Sequence, residues 1–434
     1  MFKKLIFIFA ATSLSVKAQN ISKIQSKVEN AVNAIEPQVI GWRRKFHQSP
    51  ELSNRESQTG AFIAEYLKSL GMEVMYPVAK TGVIGLLKTN KPGPVIALRA
   101  DMDALPLTEN NSLPFASKVK TTMSGQDVGV MHACGHDAHM SMLMAVAKIL
   151  RDNKSDLKGT IKFIFQPAEE GVSAAESPAG AELMVNEGVL ENPKVNAIFG
   201  LHIQSLMPSG TLNYRSGPLM AAVDGFDIKV KAKGAHGATP WEGVDPVVVG
   251  SQIVNSLQTV VSRQSELTKS PVVVTVGSFH AGVRRNIIAD EAYLQGTIRT
   301  FDTDIQKKVH EKIKLIAAKI AEASGAGAET SIQIMYPATV NDPSLTQLSI
   351  ASLVKSAGKE KVFETTLATM AEDFSFYQQK VPGFFFFLGA YPAEMNLQRK
   401  PTHHTIDFML DENSFKTGVS ALLNLTLDYL AKAK

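Results

Sequence analysis

The sequence predicts an α/β protein: a mostly parallel sheet flanked by helices, with a ferredoxin-like α+β domain inserted into it. Three observations carry that expectation. Short, near-continuous apolar runs alternate with amphipathic stretches, as strands buried on both faces and joined by helices do. Near Met220 the pattern changes to strict alternation of apolar and charged residues, which marks strands with one wet face. At 434 residues the chain is too long for one ordinary core, so two domains are the natural division.

The elements follow in order. Lys3 and Lys4 precede an apolar run from Leu5 to Leu14, closed by Val16-Lys17-Ala18. This is the grammar of a secretory signal peptide, and the run is shorter than the roughly 20 residues that span a bilayer. The expectation is export to the periplasm or the extracellular space, loss of residues 1–18, and no membrane anchor. Helical periodicity runs from about Ile24 to Phe46 and from Gln58 to Leu70, where Gly71 stops it. Buried strands are expected at Val83–Leu87, Val95–Leu98, Ile161–Phe165, Ala197–Leu201 and Phe384–Leu388, with an amphipathic helix from His139 to Arg151.

From Phe226 to Lys233 apolar and charged residues alternate. A helix follows from Asp245 to Val261, then strands at Pro271–Phe279 and Glu291–Arg299. Thr303–Ala323 is a long helix with Ile305, Val309, Ile313, Ile316 and Ile320 on one stripe and Asp302 or Thr303 as cap. Ser331–Met335 alternates again. Strand, helix, strand, strand, helix, strand is the split β-α-β order. The first domain therefore spans residues 19–219 and 337–434, and the insert spans 220–336.

Charge excludes some partners. The formal net charge is +4, and three of those positive charges (Lys3, Lys4 and Lys17) sit in the leader, leaving +1. That is no basis for binding nucleic acid.

Chemistry-bearing residues cluster. Met131–His139 holds the only cysteine, Cys134, three of the ten histidines, and Asp137. Thiolate, imidazole and carboxylate are the ligands of zinc and its neighbours, although a lone cysteine is also a common buried hydrophobe. Other polar groups follow the apolar strands: Asp101 and Asp103, Glu169-Glu170, His202, and later His403-His404. Ligands in open α/β sheets gather at the carboxyl ends of strands, so these loops should converge. Adjacent Glu169 and Glu170 can reach one site only past the strand end marked by Pro167. One could bind metal while the other serves as a general base. Asp101 and Asp103 either orient ligands or cap a strand end. In the insert, His236 lies in a glycine-rich turn and could donate to a developing oxyanion. Asn286 and Arg299 could hold a substrate carboxylate.

On these residues the chain resembles the aminoacylase and carboxypeptidase type of metallopeptidase, and within it the branch of hippurate hydrolases and plant indole-acetyl-amino-acid hydrolases. The motifs are Leu98–Pro106, Met131–His139, Gln166–Gly171, Gly200-Leu201-His202, Gly234–Pro246, Ala371–Phe374 and His403-His404-Thr405. The resemblance implies a zinc-exopeptidase-like fold and two divalent metal ions per subunit. Zinc suits the ligands, and manganese or cobalt is compatible. Cys134, His136, Glu170, His202 and His404 fall on the ligand positions, His404 being preferred because Thr405 follows it. Glu169 falls on the general base. His236 falls on a lid histidine that reaches a partner's site, which implies a homodimer built through the insert. The implied reaction is hydrolysis of the amide of an N-acyl amino acid by a metal-activated water. A dipeptidase or carboxypeptidase activity, or non-catalytic metal or solute binding, are the alternatives. So is a Cys134 nucleophile with His132 or His136 as base. Asp101 stands where the peptidase branches place a histidine ligand, which favours the amidohydrolase branch. Met370 and Ala289 depart from the common pattern, and Gly171–Gly188 is longer than in plant relatives.

Overall fold

The computed structural model describes residues 27–123, 125–392 and 400–432. The expected leader, Met1 to Ala18, lies outside them. No helix among the described residues is long and apolar enough to cross a membrane.

The chain forms two compact units. One gathers the described residues up to Tyr214, Asp342–Thr365, and those from Gln379 on; the other gathers Arg215–Asn341 and Thr366–Gln378. In the first unit, α1 (residues 27–48) and α2 (Ser57–Ser69) precede β1 (Glu73–Val78), β2 (Gly82–Lys88) and β3 (Val95–Asp101). Next come α3 (His136–Asp152), β4 (Thr160–Gln166), α4 (Gly180–Asn186), β5 (Ala197–Pro208) and β6 (Leu212–Tyr214). The second unit contributes β7 (Ala222–Lys231), α5 (Pro246–Gln264), β8 (Val273–Ala281), β9 (Glu291–Thr300), α6 (Thr303–Ala323) and β10 (Gly327–Tyr336). The chain then returns with α7 (Pro343–Ala357), β11 (Val362–Glu364), β12 (Gly383–Tyr391) and α8 (Phe415–Lys432).

The large sheet has the order β1-β2-β4-β3-β5-β12-β6-β11. Its centre, β4-β3-β5-β12, is parallel. These are the apolar runs read from the sequence, and burial on both faces is why they lack alternation. The flanks differ: β2 joins β4 antiparallel, and β1 joins β2 antiparallel through the short turn between Val78 and Gly82. β6 and β11, three residues each, carry no sequence signal. α3 is buried on nearly every side, polar at its first turn and apolar through its middle, with Ala138, Met140 and the run from Met142 to Ala147 buried. It packs against α8 and the sheet to close the main core.

In the second unit, β10-β7-β9-β8 forms an all-antiparallel sheet in the strand order of a split β-α-β fold. Phe226, Ile228 and Val230 of β7 bury one face under Val249, Ile253 and Leu257 of α5 and Ile305, Val309 and Ile313 of α6. Past Ile313 the buried stripe shifts to Ala317 and Ala321, with Ile316 and Ile320 only partly covered. Asp302 is the cap, its Oδ1 accepting from the amides of Asp304 and Ile305. The unit is wider than the 220–336 expected from pattern alone. Gly217–Met220 pairs with Thr339–Asn341, and the Ala221 amide bonds to the carbonyls of Ala368 and Met370. Such pairing leaves no periodicity in so short a stretch.

Candidate metal centre

The parallel register aligns the strand ends that carry the chemistry. Asp101, the last residue of β3, faces Gln166, the last of β4, and His202 on β5 faces Phe387 on β12. Beyond β3 and β4 the chain runs straight into Asp103 and Glu169-Glu170. α3 begins here too. Its N-terminal flank, Gly135, has φ +98°, and a Cβ there would lie 2.3 Å from Ile203 Cγ2. Only glycine turns the chain at that spot while letting Cys134 and His136 sit on either side of it.

Cys134 Sγ lies 3.3 Å from His202 Nε2 and 3.4 Å from His404 Nε2. His202 Nδ1 is 2.6 Å from the Ile203 carbonyl, which can only accept, so Nδ1 carries the proton and Nε2 presents its lone pair to the thiol. His136 repeats the device: its Nδ1 lies 2.8 Å from the Asp103 carbonyl and 3.2 Å from Asp103 Oδ1. His136 Nε2 is buried with no hydrogen-bond partner. It stands 3.9 Å from both Glu169 Oε2 and Glu170 Oε1. Two sets, Cys134-His136-Glu170 and Cys134-His202-His403, each bring their ligand atoms within 4.8 Å of one another. They share the thiol. An imidazole fixed by an Nδ1–H bond to a carbonyl is the usual dress of a metal-binding histidine. Soft sulfur with nitrogen and oxygen suits divalent zinc, manganese or cobalt.

The electrostatics agree. Burial, then Glu170, Glu169 and Asp101, push the Cys134 thiol well above its ordinary range. Burial and the rings of His139 and His403 push His202 well down, so it stays neutral. Burial opposes the charged form of His136, but Asp101 and Asp103 outweigh it and raise the ring to about 10. A divalent cation is the charge that would hold a thiolate among carboxylates and leave these rings neutral.

Asp101 and Asp103 both brace ligands. Asp101 accepts from Arg99 Nη1 at 2.7 Å and from His139 Nδ1 at 2.6 Å. Asp103 Oδ2 accepts from Ser53 Oγ at 2.7 Å and from the Glu170 amide at 2.9 Å. His139 was not singled out from the sequence. Its Nε2 accepts the Ile203 amide at 2.8 Å, so both of its nitrogens are engaged, and its ring stacks on His136. Its i, i+3 spacing from His136 on one helix was the available signal.

The expectation singled out His404, and the structure brings its neighbour His403 to the centre as well. His403 joins Cys134 and His202, with its Nδ1 buried and unpartnered and its Nε2 accepting the Ser205 amide. His404 reaches Cys134 and Glu170 Oε1, the latter at 3.2 Å, from a left-handed backbone (φ +59°) and an exposed side chain. Both neighbours therefore approach the thiol.

Beneath α3, His47 is buried between Asp137 Oδ2 at 2.8 Å and Glu109 Oε1 at 3.1 Å. Arg43 Nε lies 2.9 Å from the same Asp137 oxygen.

In the second unit, Ala235-His236 pairs antiparallel with Ile287-Ile288, and the Gly237 amide bonds to the Asn286 carbonyl. This brings His236 and Asn286 together. The Ala238 amide donates to His236 Nδ1 at 3.0 Å, which leaves the proton on exposed Nε2, free to donate. Arg299, on β9, faces Val223 and Val273 in the sheet.

Comparison with known proteins adds independent findings. The pattern of peptidase family M20/M25/M40 matches residues 97–428. Thermostable carboxypeptidase 2 of Saccharolobus solfataricus is 40% identical over 94% of this chain and 99% of its own. N-acetylcysteine deacetylase of Bacillus subtilis is 38% identical over 93% of this chain and 100% of its own. The crystal structure of a dinuclear metal-binding peptidase from the M20 family of Bacillus subtilis matches with a TM-score of 0.76 and 35% identity, covering 92% of this chain and 99% of that one.

Proposed function

The chain belongs to peptidase family M20/M25/M40, and on that premise we propose that it is a metal-dependent amidohydrolase that cleaves the amide of N-acyl amino acids. One observation carries the reading. Two imidazoles, each with its Nδ1–H bound to a carbonyl, face a single buried thiol, and adjacent carboxylates stand within 3.9 Å of His136 Nε2.

Two divalent ions held by Cys134, His136, Glu170, His202 and the His403-His404 pair would supply Lewis acidity and lower the pKa of water from about 15.7 toward 7. Zinc, manganese and cobalt all fit. Glu169 removes the proton of the attacking water as its oxygen bonds to the amide carbon, and delivers it to the departing amine. His236, protonated on Nε2, donates to the oxyanion that forms. Asn286 and Arg299 hold the free carboxylate of the amino acid. The chain is exported and acts as a homodimer through the second unit.

The 38% identity to an N-acetylcysteine deacetylase favours small N-acyl amino acids. The 40% identity to a carboxypeptidase keeps peptide cleavage as the second reading. A Cys134 nucleophile is disfavoured, because the thiol is buried and faces the imidazoles of His202 and His404, the place of a metal ligand.

The test has two parts. Metal content of purified protein is measured, and N-acetyl, N-benzoyl and indole-acetyl amino acids are then assayed beside dipeptides, with and without chelator. Glu169→Gln should keep its metal and lose roughly 10²- to 10⁴-fold in turnover. Near-normal turnover in that variant removes Glu169 from its role.

A further inference from the structure

We infer that Glu56 is a positioning residue: its buried carboxylate holds Ala168 in the left-handed conformation that turns Glu169 and Glu170 together toward the metal centre. The inference rests on the amidohydrolase reading for its kinetic arm and on geometry alone for its second arm.

Glu56 immediately precedes α2 and is fully buried. A glutamate is rarely buried without dedicated partners. Its two oxygens have different ones: Oε1 accepts the Ala168 amide at 2.8 Å and Oε2 accepts Thr81 Oγ1 at 2.6 Å. Ala168 has φ +53°, a region that a residue with a Cβ adopts only when its surroundings impose it. The chain leaves β4 at Gln166, passes Pro167, turns at Ala168 and then presents the two glutamates. On the far side of Glu169, the Glu170 amide is bound by Asp103. The general base is thus flanked by two backbone amides, each held by a buried carboxylate. Ser53, three residues before Glu56, bonds to Asp103 as well, so one short segment braces both clamps.

Close packing brings the clamp into reach. A Cβ on Gly60 would stand 2.4 Å from the Thr81 carbonyl oxygen, so α2 rests directly on that backbone. A Cβ on Gly82 would stand 2.8 Å from Pro167 Cδ. Glycine at these two positions lets α2, the start of β2 and the Pro167 turn touch, which sets the span that one glutamate side chain bridges.

The experiment uses the metal-loaded full chain. Glu56→Ala should lower kcat by on the order of 10- to 100-fold with KM within about twofold and metal content near wild type, because the general base is displaced while Asp103 still holds the Glu170 amide. Adding Ala168→Gly to Glu56→Ala should return at least about fivefold in kcat, since glycine takes positive φ without help. Glu56→Gln should stay within about threefold of wild type, because an amide oxygen still accepts the Ala168 amide. A residue that merely supports folding would show neither rescue. The second arm is hydrogen exchange in the peptide containing Ala168. Glu56→Ala should speed exchange of that amide at least about tenfold, and Glu56→Gln should not. Wild-type kcat in Glu56→Ala, or no recovery on adding Ala168→Gly, overturns the inference. So does unchanged Ala168 exchange in Glu56→Ala. A wild-type protein inactive on every N-acyl amino acid would fail the amidohydrolase reading, and the exchange arm would still decide the role of Glu56.

Discussion

Asp101 offers the sharpest test of how the centre is braced. It is completely buried, and the Arg99 guanidinium beside it is only 2% exposed. Burial disfavours the charged carboxylate, but His136, His139 and Arg99 outweigh it and hold Asp101 well below the usual range. Asp101→Ala removes the acceptor of two short charge-assisted bonds, at 2.6 and 2.7 Å. Arg99 then keeps its bond to Gln166 but loses its Asp101 partner in a dry interior. Each bond to a charged group is worth about 1.5–3 kcal/mol, and breaking a buried ion pair costs about 3–5 kcal/mol, so about 4 kcal/mol is expected. With m on the order of 3 kcal/mol per M, the urea midpoint should fall by about 1.3 M. Trp42 can report this locally, because it packs edge-on against Tyr66 in the first unit at 5.1 Å. Trp241, the other tryptophan, is 77% exposed in the second unit and is replaced by phenylalanine in the background used for fluorescence. Chelator is kept in excess so that metal binding does not add to the stability measured. Asp101→Ala combined with Arg99→Leu should regain part of the loss, since the buried cation that faced Asp101 is then removed as well. A midpoint shift below about 0.3 M for the single variant, or no recovery in the pair, would refute the reasoning.

Other outcomes follow from the same geometry. His403→Ala should lower the metal content of the purified protein from two ions toward one, whereas His404→Ala should retain more metal, because His403 groups its ligand atom with Cys134 and His202 while the His404 side chain is exposed; equal loss in both variants would count against that division. Gly135→Ala should destabilise the first unit by about 3 kcal/mol, combining positive φ with a 2.3 Å clash, and its Trp42 unfolding curve would show this. For His47, burial and Arg43 push the ring down, but its bonds to Asp137 and Glu109 win and leave it raised above 6.5. A raised folded value means that its contribution is fully present below about pH 6.5 and is lost as pH rises through the folded value. Chelator-treated wild type should therefore lose stability relative to His47→Gln as pH rises above about 6.5, and parallel pH curves would contradict the assignment.

Much of this protein was legible before any coordinates. The central strands declare themselves because burial on both faces leaves runs such as Val95–Leu98 and Phe384–Leu388 without a polar position. The second unit declares itself because one wet face forces period-two alternation, as in Phe226, Ile228 and Val230 against Asp227, Lys229 and Lys231. The centre was legible as a set of residue types at strand ends, and the geometry brings Cys134, His136, Glu170, His202 and the His403-His404 pair together.

Only the tertiary structure decided the rest. The Thr405 that follows His404 does not say what each histidine of the pair touches, since that depends on where the Ser205 amide and the Cys134 thiol stand after folding. Glu56 carries no motif, and the motif that ends at His139 does not reveal its role; their partners, Ala168 and Asp101, lie 112 and 38 residues away. Composition and periodicity record which face of an element is dry, because burial acts on every residue of it. Lone-pair directions, left-handed turns and shared protons belong to single atoms brought together from distant parts of the chain, so no short stretch of sequence contains them.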